Sequence, residues 1–181
     1  KQNYYRDTAF MLAARYNTNV AVIHYLYNTF KGTIDINKQN YYGNTALMLA
    51  VRHNKNDEVI QYLCNTLKDT IDINIQDEDG YTAFMIAARY NTNEKVVQYL
   101  CNTFKNTIDI SMQDKDHHQT AIMLAAKHNN NEKVIQCLCD MFKDTIDINK
   151  QDNDGNTVLM LATEYNTNVA VIQYLYNTFK N

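Results

Sequence analysis

Proline and tryptophan are absent from the 181-residue sequence, glycine occurs only four times, and Ser111 is the single serine. The four glycines lie far apart, which excludes a glycine-rich phosphate loop. No histidine falls in a constellation that a general base would need beside a nucleophile. No apolar run approaches the roughly 18 residues that cross a bilayer, and the net charge is −3. These absences predict a non-enzymatic protein with no membrane span, no cofactor and no metal.

An internal repeat organises the whole chain. The segment 77–111 recurs at intervals of about 37 residues, and Thr8, Thr45, Thr82, Thr120 and Thr157 mark the same point in successive copies. A fixed period of this size is the sequence signature of a repeat array. We therefore predict one array of five units, with approximate boundaries 1–37, 38–74, 75–111, 112–149 and 150–181.

Each unit reads as a turn followed by two helices. Thr82 is an N-cap candidate for the short apolar stretch 83–88. The asparagine-rich stretch 91–93 ends this first helix, and from residue 94 apolar side chains recur at steps of three and four, as in an amphipathic helix. The DEDG sequence at 77–80 supplies a turn in which glycine can adopt a positive φ.

These motifs resemble ankyrin repeats. TAFMIAA at 82–88 is similar to the TPLHxAA core of that family, GYT at 80–82 to its GxT, and TIDIN at 33–37, 70–74 and 145–149 to its GADVN. The resemblance spans essentially the whole chain. It implies an all-α, ankyrin-type helical-repeat solenoid with β-turn or hairpin-like tips, acting as a protein–protein interaction module.

The sequence also departs from the family pattern. The usual unit has 33 residues, so the extra residues here should lengthen the outer helix by nearly a turn. The family's proline is replaced by alanine or valine, and its histidine by methionine, in every unit. The resemblance therefore implies that the polar bonds this histidine makes between repeats are absent, so that packing must contribute more to stability.

The first and last units lack a polar outer face. VAVIQYLYNTFK at 169–180 is nearly identical to VAVIHYLYNTFK at 20–31. Terminal repeats of a free-standing solenoid normally carry a polar capping face. We therefore expect either a segment of a longer array or ends that stack on another molecule. End-to-end self-association, an architectural role, is the alternative function that follows.

The four cysteines are predicted to be free and largely buried. Cys64, Cys101 and Cys139 occupy one position of the unit, whereas Cys137 replaces a tyrosine. Equivalent helices in a stack lie about 8–10 Å apart, which is too far for a disulfide, and Cys137 and Cys139 point to different sides of one helix. Free thiols indicate a reducing compartment. We expect a cytoplasmic protein, or one delivered to a host cytosol if it comes from an intracellular microbe.

Candidate binding residues lie at the end of each inner helix and at each turn tip. Two rows follow the alanine pairs, one of cations ending in Glu164 and one of aromatic or imidazole rings. Tyrosine and arginine often anchor interfaces, and the resemblance places the partner on the concave inner-helix and tip face. The row of cations suits an acidic protein or peptide. The candidates are Tyr4, Tyr5, Arg15, Tyr16, Tyr41, Tyr42, Arg52, His53, Glu78, Asp79, Tyr81, Arg89, Tyr90, Lys127, His128 and Tyr165.

Other interpretations of these residues stay open. Repeat duplication alone would copy an arginine and a tyrosine five times with no ligand selecting them. Cations interleaved with aromatics also occur in proteins that bind single-stranded nucleic acid, but the net negative charge argues against that function here. In the fourth unit, QDKDHHQT at 113–120 contains one extra residue and no glycine. His117 and His118 could contact a metal or a phosphate there, but a solvated turn is the simpler reading.

Overall fold

The computed structural model describes residues 1–180 and confirms the predicted all-α helical-repeat solenoid. Within those residues there are ten helices and no β-strand; the one isolated β-bridge joins Gln2 and Thr8. The helices are α1 Ala9–Tyr16, α2 Val20–Phe30, α3 Ala46–His53, α4 Asp57–Leu67, α5 Ala83–Tyr90, α6 Glu94–Phe104, α7 Ala121–His128, α8 Glu132–Phe142, α9 Val158–Tyr165 and α10 Val169–Phe179.

The helices form two layers. The inner helices α1, α3, α5, α7 and α9 stack on one another in chain order, and so do the outer helices α2, α4, α6, α8 and α10. Each inner helix has eight residues and each outer helix has eleven. Residues 46–51, 83–88 and 121–126 of the three central inner helices are completely buried, because a unit packs on each side of them. The core is therefore continuous along the array.

A threonine is the N-cap residue of every inner helix, as the sequence predicts. Oγ1 of Thr82 accepts a hydrogen bond from the backbone N–H of Met85 at 3.1 Å, which satisfies one of the free donors of the first turn. The methionine that replaces the family's histidine also takes part in several units. Sδ of Met48 accepts from the backbone N–H of Thr45 at 3.3 Å, so the thioether closes a capping box.

Asparagine side chains connect neighbouring units. The residue that ends each inner helix donates to backbone carbonyls of the preceding unit: Asn54 to Ala14, Asn91 to Val51, Asn129 to Ala88 and Asn166 to Ala126. The prediction that packing must replace the missing histidine bonds was therefore incomplete. The sequence-based interpretation of residues 91–93 as a helix breaker missed these bonds.

The turn tips are connected by backbone hydrogen bonds. One tip residue in each unit donates its N–H to a carbonyl of the preceding tip: Tyr41 to Tyr5, Glu78 to Tyr42, Lys115 to Asp79 and Asn153 to His117, at 2.8–3.1 Å. The extra residue of the fourth unit is thus accommodated without a break in this series. It follows that the tips form one continuous edge of the solenoid.

The cysteines are free in residues 1–180, and three of the four are buried. Cys137 is half-buried, and its Sγ lies 3.8 Å from Sγ of Cys101 on the preceding outer helix. The sequence argument compared only equivalent positions of the unit. The prediction of free, largely buried thiols is confirmed, but this argument did not anticipate the approach of these two sulfurs.

Candidate partner-binding surface

The two predicted rows lie side by side at the C-terminal ends of the inner helices. The cation row consists of Arg15, Arg52, Arg89 and Lys127, of which Arg52 is exposed and the other three are half-buried. The ring row beside it consists of Tyr16, His53, Tyr90, His128 and Tyr165, all of them exposed. Each of the first four units of the solenoid thus presents one cation and one ring. The fifth unit presents a ring, Tyr165, but has Glu164 in the position of the cation.

The two rows interlock across the units. The Arg52 guanidinium lies 4.7 Å from the ring centroid of Tyr90, and the Lys127 ammonium lies 4.5 Å from that of Tyr165, each ring belonging to the following unit. Arg89 also lies 4.9 Å from the Tyr90 ring. Cation–π contacts at these distances hold long side chains against the surface. These contacts favour side-chain orientations in which the cations lie against the neighbouring rings.

The cation row is free of salt bridges. The one salt bridge in residues 1–180 joins Lys133 and Glu94, at 3.8 Å on the outer helices. In addition, the Nε atoms of Arg15 and Arg89 are buried without a hydrogen-bond partner there. Buried donors normally find a partner. The charged groups of the row therefore have unused charge-pairing capacity, to which the two buried Nε atoms do not add.

The two histidines of the ring row are held neutral. Partial burial, followed by the charges of Arg15 and Arg52, lowers the pKa of His53. Partial burial, followed by the charges of Arg89 and Lys127, lowers the pKa of His128 to about 4. At neutral pH these rings add hydrogen-bonding atoms and contact area to the surface, but no charge.

An aromatic patch covers the tips of the first two units. Tyr4, Tyr5, Tyr41 and Tyr42 are all exposed, Tyr4 at 91%. The rings of Tyr5 and Tyr42 stack with centroids 6.2 Å apart. Tyr4 and Tyr41 each meet the neighbouring tyrosine edge to face, at 5.3 and 5.4 Å. The four rings are thus prearranged as one amphipathic surface.

A cavity of about 470 Å³ lies between this patch and the cation row. Tyr5 and Tyr42 line one part of it, and Arg15 and Arg52 another. Asp77, Glu78 and Asp79 line a third part. Two neighbouring residues that the sequence analysis did not single out, Asn44 and Leu49, also line it. The cavity therefore offers cations, carboxylates and aromatic rings to one ligand.

Tyr81 differs from its expected exposure. Its side chain is only 8% exposed, and its hydroxyl accepts a hydrogen bond from the Arg89 guanidinium. Burial raises the pKa of Tyr81 to about 12. The expectation of an exposed contact residue is wrong here, because the Tyr81 side chain is buried and its hydroxyl is already paired with Arg89. Glu78 and Asp79 at the same tip are exposed, as expected.

The tip of the fourth unit exposes His117 and His118, while Asp114 beside them is buried. In residues 1–180 no three histidine, cysteine, aspartate or glutamate side chains are grouped as metal ligands would be. A separate search of the same residues finds no helix of the length and apolarity needed to span a membrane.

Comparisons with known proteins place this architecture. The family model described as ankyrin repeats in three copies matches residues 1–77, 65–152 and 101–181. Among solved structures, the crystal structure of the ankyrin repeat domain of Bcl-3, a unique member of the IkappaB protein family, is similar with a TM-score of 0.78. That match covers 97% of this chain and 73% of the other, at 24% sequence identity, so it supports the fold alone. No curated protein sequence matches the chain.

Proposed function

This chain belongs to the ankyrin-repeat family, whose repeats generally act as protein–protein interaction modules, and we propose that it binds an extended acidic segment of a partner protein. The segment would lie along the cation row, with its carboxylates on Arg15, Arg52, Arg89 and Lys127. The observation that carries the proposal is that these cations form no salt bridge in residues 1–180.

The repeat spacing defines the sequence pattern of the partner. Packed helices lie about 8–10 Å apart, so successive cations of the row are separated by about that distance. A segment in the extended polyproline II conformation rises about 3.1 Å per residue and completes one turn every three residues, so side chains three positions apart lie on the same side and span one unit. We expect acidic residues at every third position of the partner, because that pattern brings each carboxylate to a cation.

The tips would set selectivity. The aromatic patch of Tyr4, Tyr5, Tyr41 and Tyr42 suits an apolar or aromatic flank of the partner, since tyrosine combines a large contact area with a polar hydroxyl. The exposed carboxylates Glu78 and Asp79 would repel an acidic residue. The partner should therefore present its acidic residues to the inner helices and keep them away from the third tip.

Fluorescence anisotropy with two labelled peptides tests this proposal. One peptide carries glutamate at every third position among neutral residues, and the other has the same composition with its glutamates contiguous. The spaced peptide should bind more tightly. Arg52→Glu should weaken its binding by at least about tenfold, because an attraction becomes a repulsion at the centre of the row. Equal affinity for both peptides would contradict the proposed spacing.

A matched variant controls for net charge. Lys95→Glu makes the same charge change at an exposed position on the outer helix α6, and it should leave peptide affinity unchanged. Equal losses of affinity in the two variants would mean that only overall charge matters.

A single-stranded oligonucleotide serves as a further probe. If the oligonucleotide bound more tightly than the spaced peptide and its affinity fell steeply with salt, single-stranded nucleic-acid binding would replace the proposed peptide binding.

A second candidate function is end-to-end self-association. Met160, Val169 and Tyr176 on the last unit are 52%, 61% and 58% exposed, and Tyr25 and Phe30 on the first are 65% and 49% exposed. Light scattering across a concentration range tests this, with Val169→Lys as the variant. Association of the original chain that the variant abolishes would support an architectural role, whereas a monomer at every concentration would exclude it.

A further inference from the structure

The two closest thiols in the molecule belong to different helices. Sγ of Cys137 on α8 lies 3.8 Å from Sγ of Cys101 on α6, and the two residues are 36 positions apart in sequence. A disulfide joins sulfurs at about 2.05 Å, so the two sulfurs must approach by about 1.8 Å to bond. The pair arises because the fourth unit has cysteine where the others have Tyr25, Tyr62, Tyr99 and Tyr174.

Only one of the two thiols can be reached from solvent. Cys101 is completely buried, whereas Cys137 is half-buried and lines an open groove of about 550 Å³ between the two outer helices. Lys133 and Glu94 stand at the same groove. A small oxidant can therefore approach Cys137 from the groove, whereas Cys101 remains buried next to it.

We propose that Cys101 and Cys137 form a peroxide-reactive dithiol that closes to a disulfide between α6 and α8. This modification site is separate from the surface of the inner helices and does not depend on the proposed partner. Its substrate class is a hydroperoxide.

The reaction proceeds in two balanced steps. The Cys137 thiol first loses its proton, and its thiolate attacks one oxygen of hydrogen peroxide, which forms an S–O bond and breaks the O–O bond. The departing hydroxide takes up the released proton, so the products are a sulfenic acid and water. The Cys101 sulfur then attacks the Cys137 sulfur, which forms the S–S bond and releases a second water that carries away the Cys101 proton. Two thiols are oxidised by two electrons, and the peroxide is reduced to two waters.

The electrostatics agree with Cys137 as the thiol that reacts first with the peroxide. Hydrogen bonding from Cys101 lowers the pKa of the Cys137 thiol, against burial and the Asp140 carboxylate, which raise it. The same hydrogen bond and burial raise the pKa of Cys101. Burial raises the pKa of Cys64 and Cys139 to about 12. Since the thiolate is the reactive species, Cys137 is the thiol that attacks.

Mass spectrometry under non-reducing conditions tests the proposal on the whole chain. The folded, reduced protein is treated with hydrogen peroxide, its remaining thiols are alkylated in denaturant, and it is digested with trypsin. We expect a mass loss of about 2 Da before alkylation, the two hydrogens removed by disulfide formation. We also expect peptides 96–105 and 134–143 to be linked.

Two variants identify the cysteines, because peptide 134–143 contains both Cys137 and Cys139. Cys139→Ser should keep the linked peptide. Cys137→Tyr, which restores the residue found in the other units, should remove it and leave Cys101 fully alkylated. A bond between Cys137 and Cys139, oxidation of Cys137 without a link to Cys101, or no loss of thiols would each overturn the proposal. Peroxide treatment in urea should give mixed pairings, since only the fold selects this pair.

Discussion

The side-chain amide of Asn129 donates a hydrogen bond to the backbone carbonyl of Ala88 in the preceding unit, at 2.9 Å. The same Nδ2 group donates to the carbonyl of Asn91 at 3.0 Å, and Oδ1 of Asn129 accepts from the N–H of Asn131 at 3.0 Å. The side chain is 1% exposed. One buried amide thus pairs with two carbonyl groups at the end of α5 and with one backbone N–H at the start of α8.

Replacement of Asn129 by alanine should therefore destabilise the protein strongly. Three hydrogen bonds are lost and two carbonyls are left with fewer partners in a buried place, so we expect a loss of about 2–4 kcal/mol in the free energy of unfolding. Urea denaturation followed by circular dichroism measures this. Asn130→Ala is the matched control, because the Asn130 side chain is exposed and its carbonyl, which accepts from Asn168, is retained. Similar midpoints for the two variants would contradict the assigned role.

Local features of the fold could be predicted from the sequence, because caps and helical periodicity are determined by neighbouring residues. Thr82 is the N-cap residue of α5, and α6 begins at Glu94, as predicted. The asparagine bonds could not be predicted in the same way. They depend on how far one unit is displaced along the next, which no single unit encodes.

The candidate surface shows the same division. The two rows could be predicted because each unit repeats an inner helix of fixed length. The burial of Tyr81 and its hydrogen bond with Arg89 could not, because a position in the turn tip does not by itself decide which side chains are exposed. The contact between Cys101 and Cys137 depends on the side-by-side packing of two outer helices, and a comparison of equivalent positions cannot reveal it.

A side chain at Gly80 should destabilise the protein, because Gly80 lies between two tips. Its φ is +87°, and a Cβ there would lie 2.7 Å from the backbone nitrogen of Lys115, which donates to Asp79 in the series of tip bonds. Gly155 has a φ of +81°, but no heavy atom in residues 1–180 would lie within 4 Å of its Cβ. Gly155→Ala should cost about 1 kcal/mol for the left-handed backbone.

Gly80→Ala should cost about 2–3 kcal/mol, because the tips of the third and fourth units must also separate. The difference between the two variants in urea denaturation isolates the contact between tips. Equal losses would mean that only the backbone conformation matters at Gly80.

Replacement of His118 by glycine should stabilise the protein. Its φ is 55°, a left-handed conformation that costs a side-chain-bearing residue about 1–2 kcal/mol. Glycine adopts it without strain but loses about 0.5–1 kcal/mol of chain entropy. We therefore expect His118→Gly to raise the free energy of unfolding by about 0.5 kcal/mol, and thermal unfolding should show the gain. His117 has no positive φ, so His117→Gly should lower stability instead. A loss in both variants would contradict the assignment of strain to His118.

Stability should fall in mild acid because of His128. Burial, Arg89, Lys127 and His117 together lower its pKa from 6.5 to about 4 in the folded protein. Between those pH values the unfolded ring binds more protons than the folded ring, so the free energy of unfolding decreases as the pH falls through this window. Because the ring is more than one-third exposed, solvent screening limits the loss to about 1 kcal/mol.

Urea denaturation at pH 7 and pH 5 measures this effect. His128→Asn removes the titrating ring, so its free energy of unfolding should change less between the two pH values than that of the original chain. His24→Asn is the control, because His24 is an exposed residue on the outer helix α2, and its variant should keep the full pH dependence. If both variants kept that dependence, another group would be responsible. In that case the pKa of His128 would not be lowered by folding, and its ring would be charged at pH 5. The cations beside the ring row would then no longer be the only positive groups available to an acidic partner.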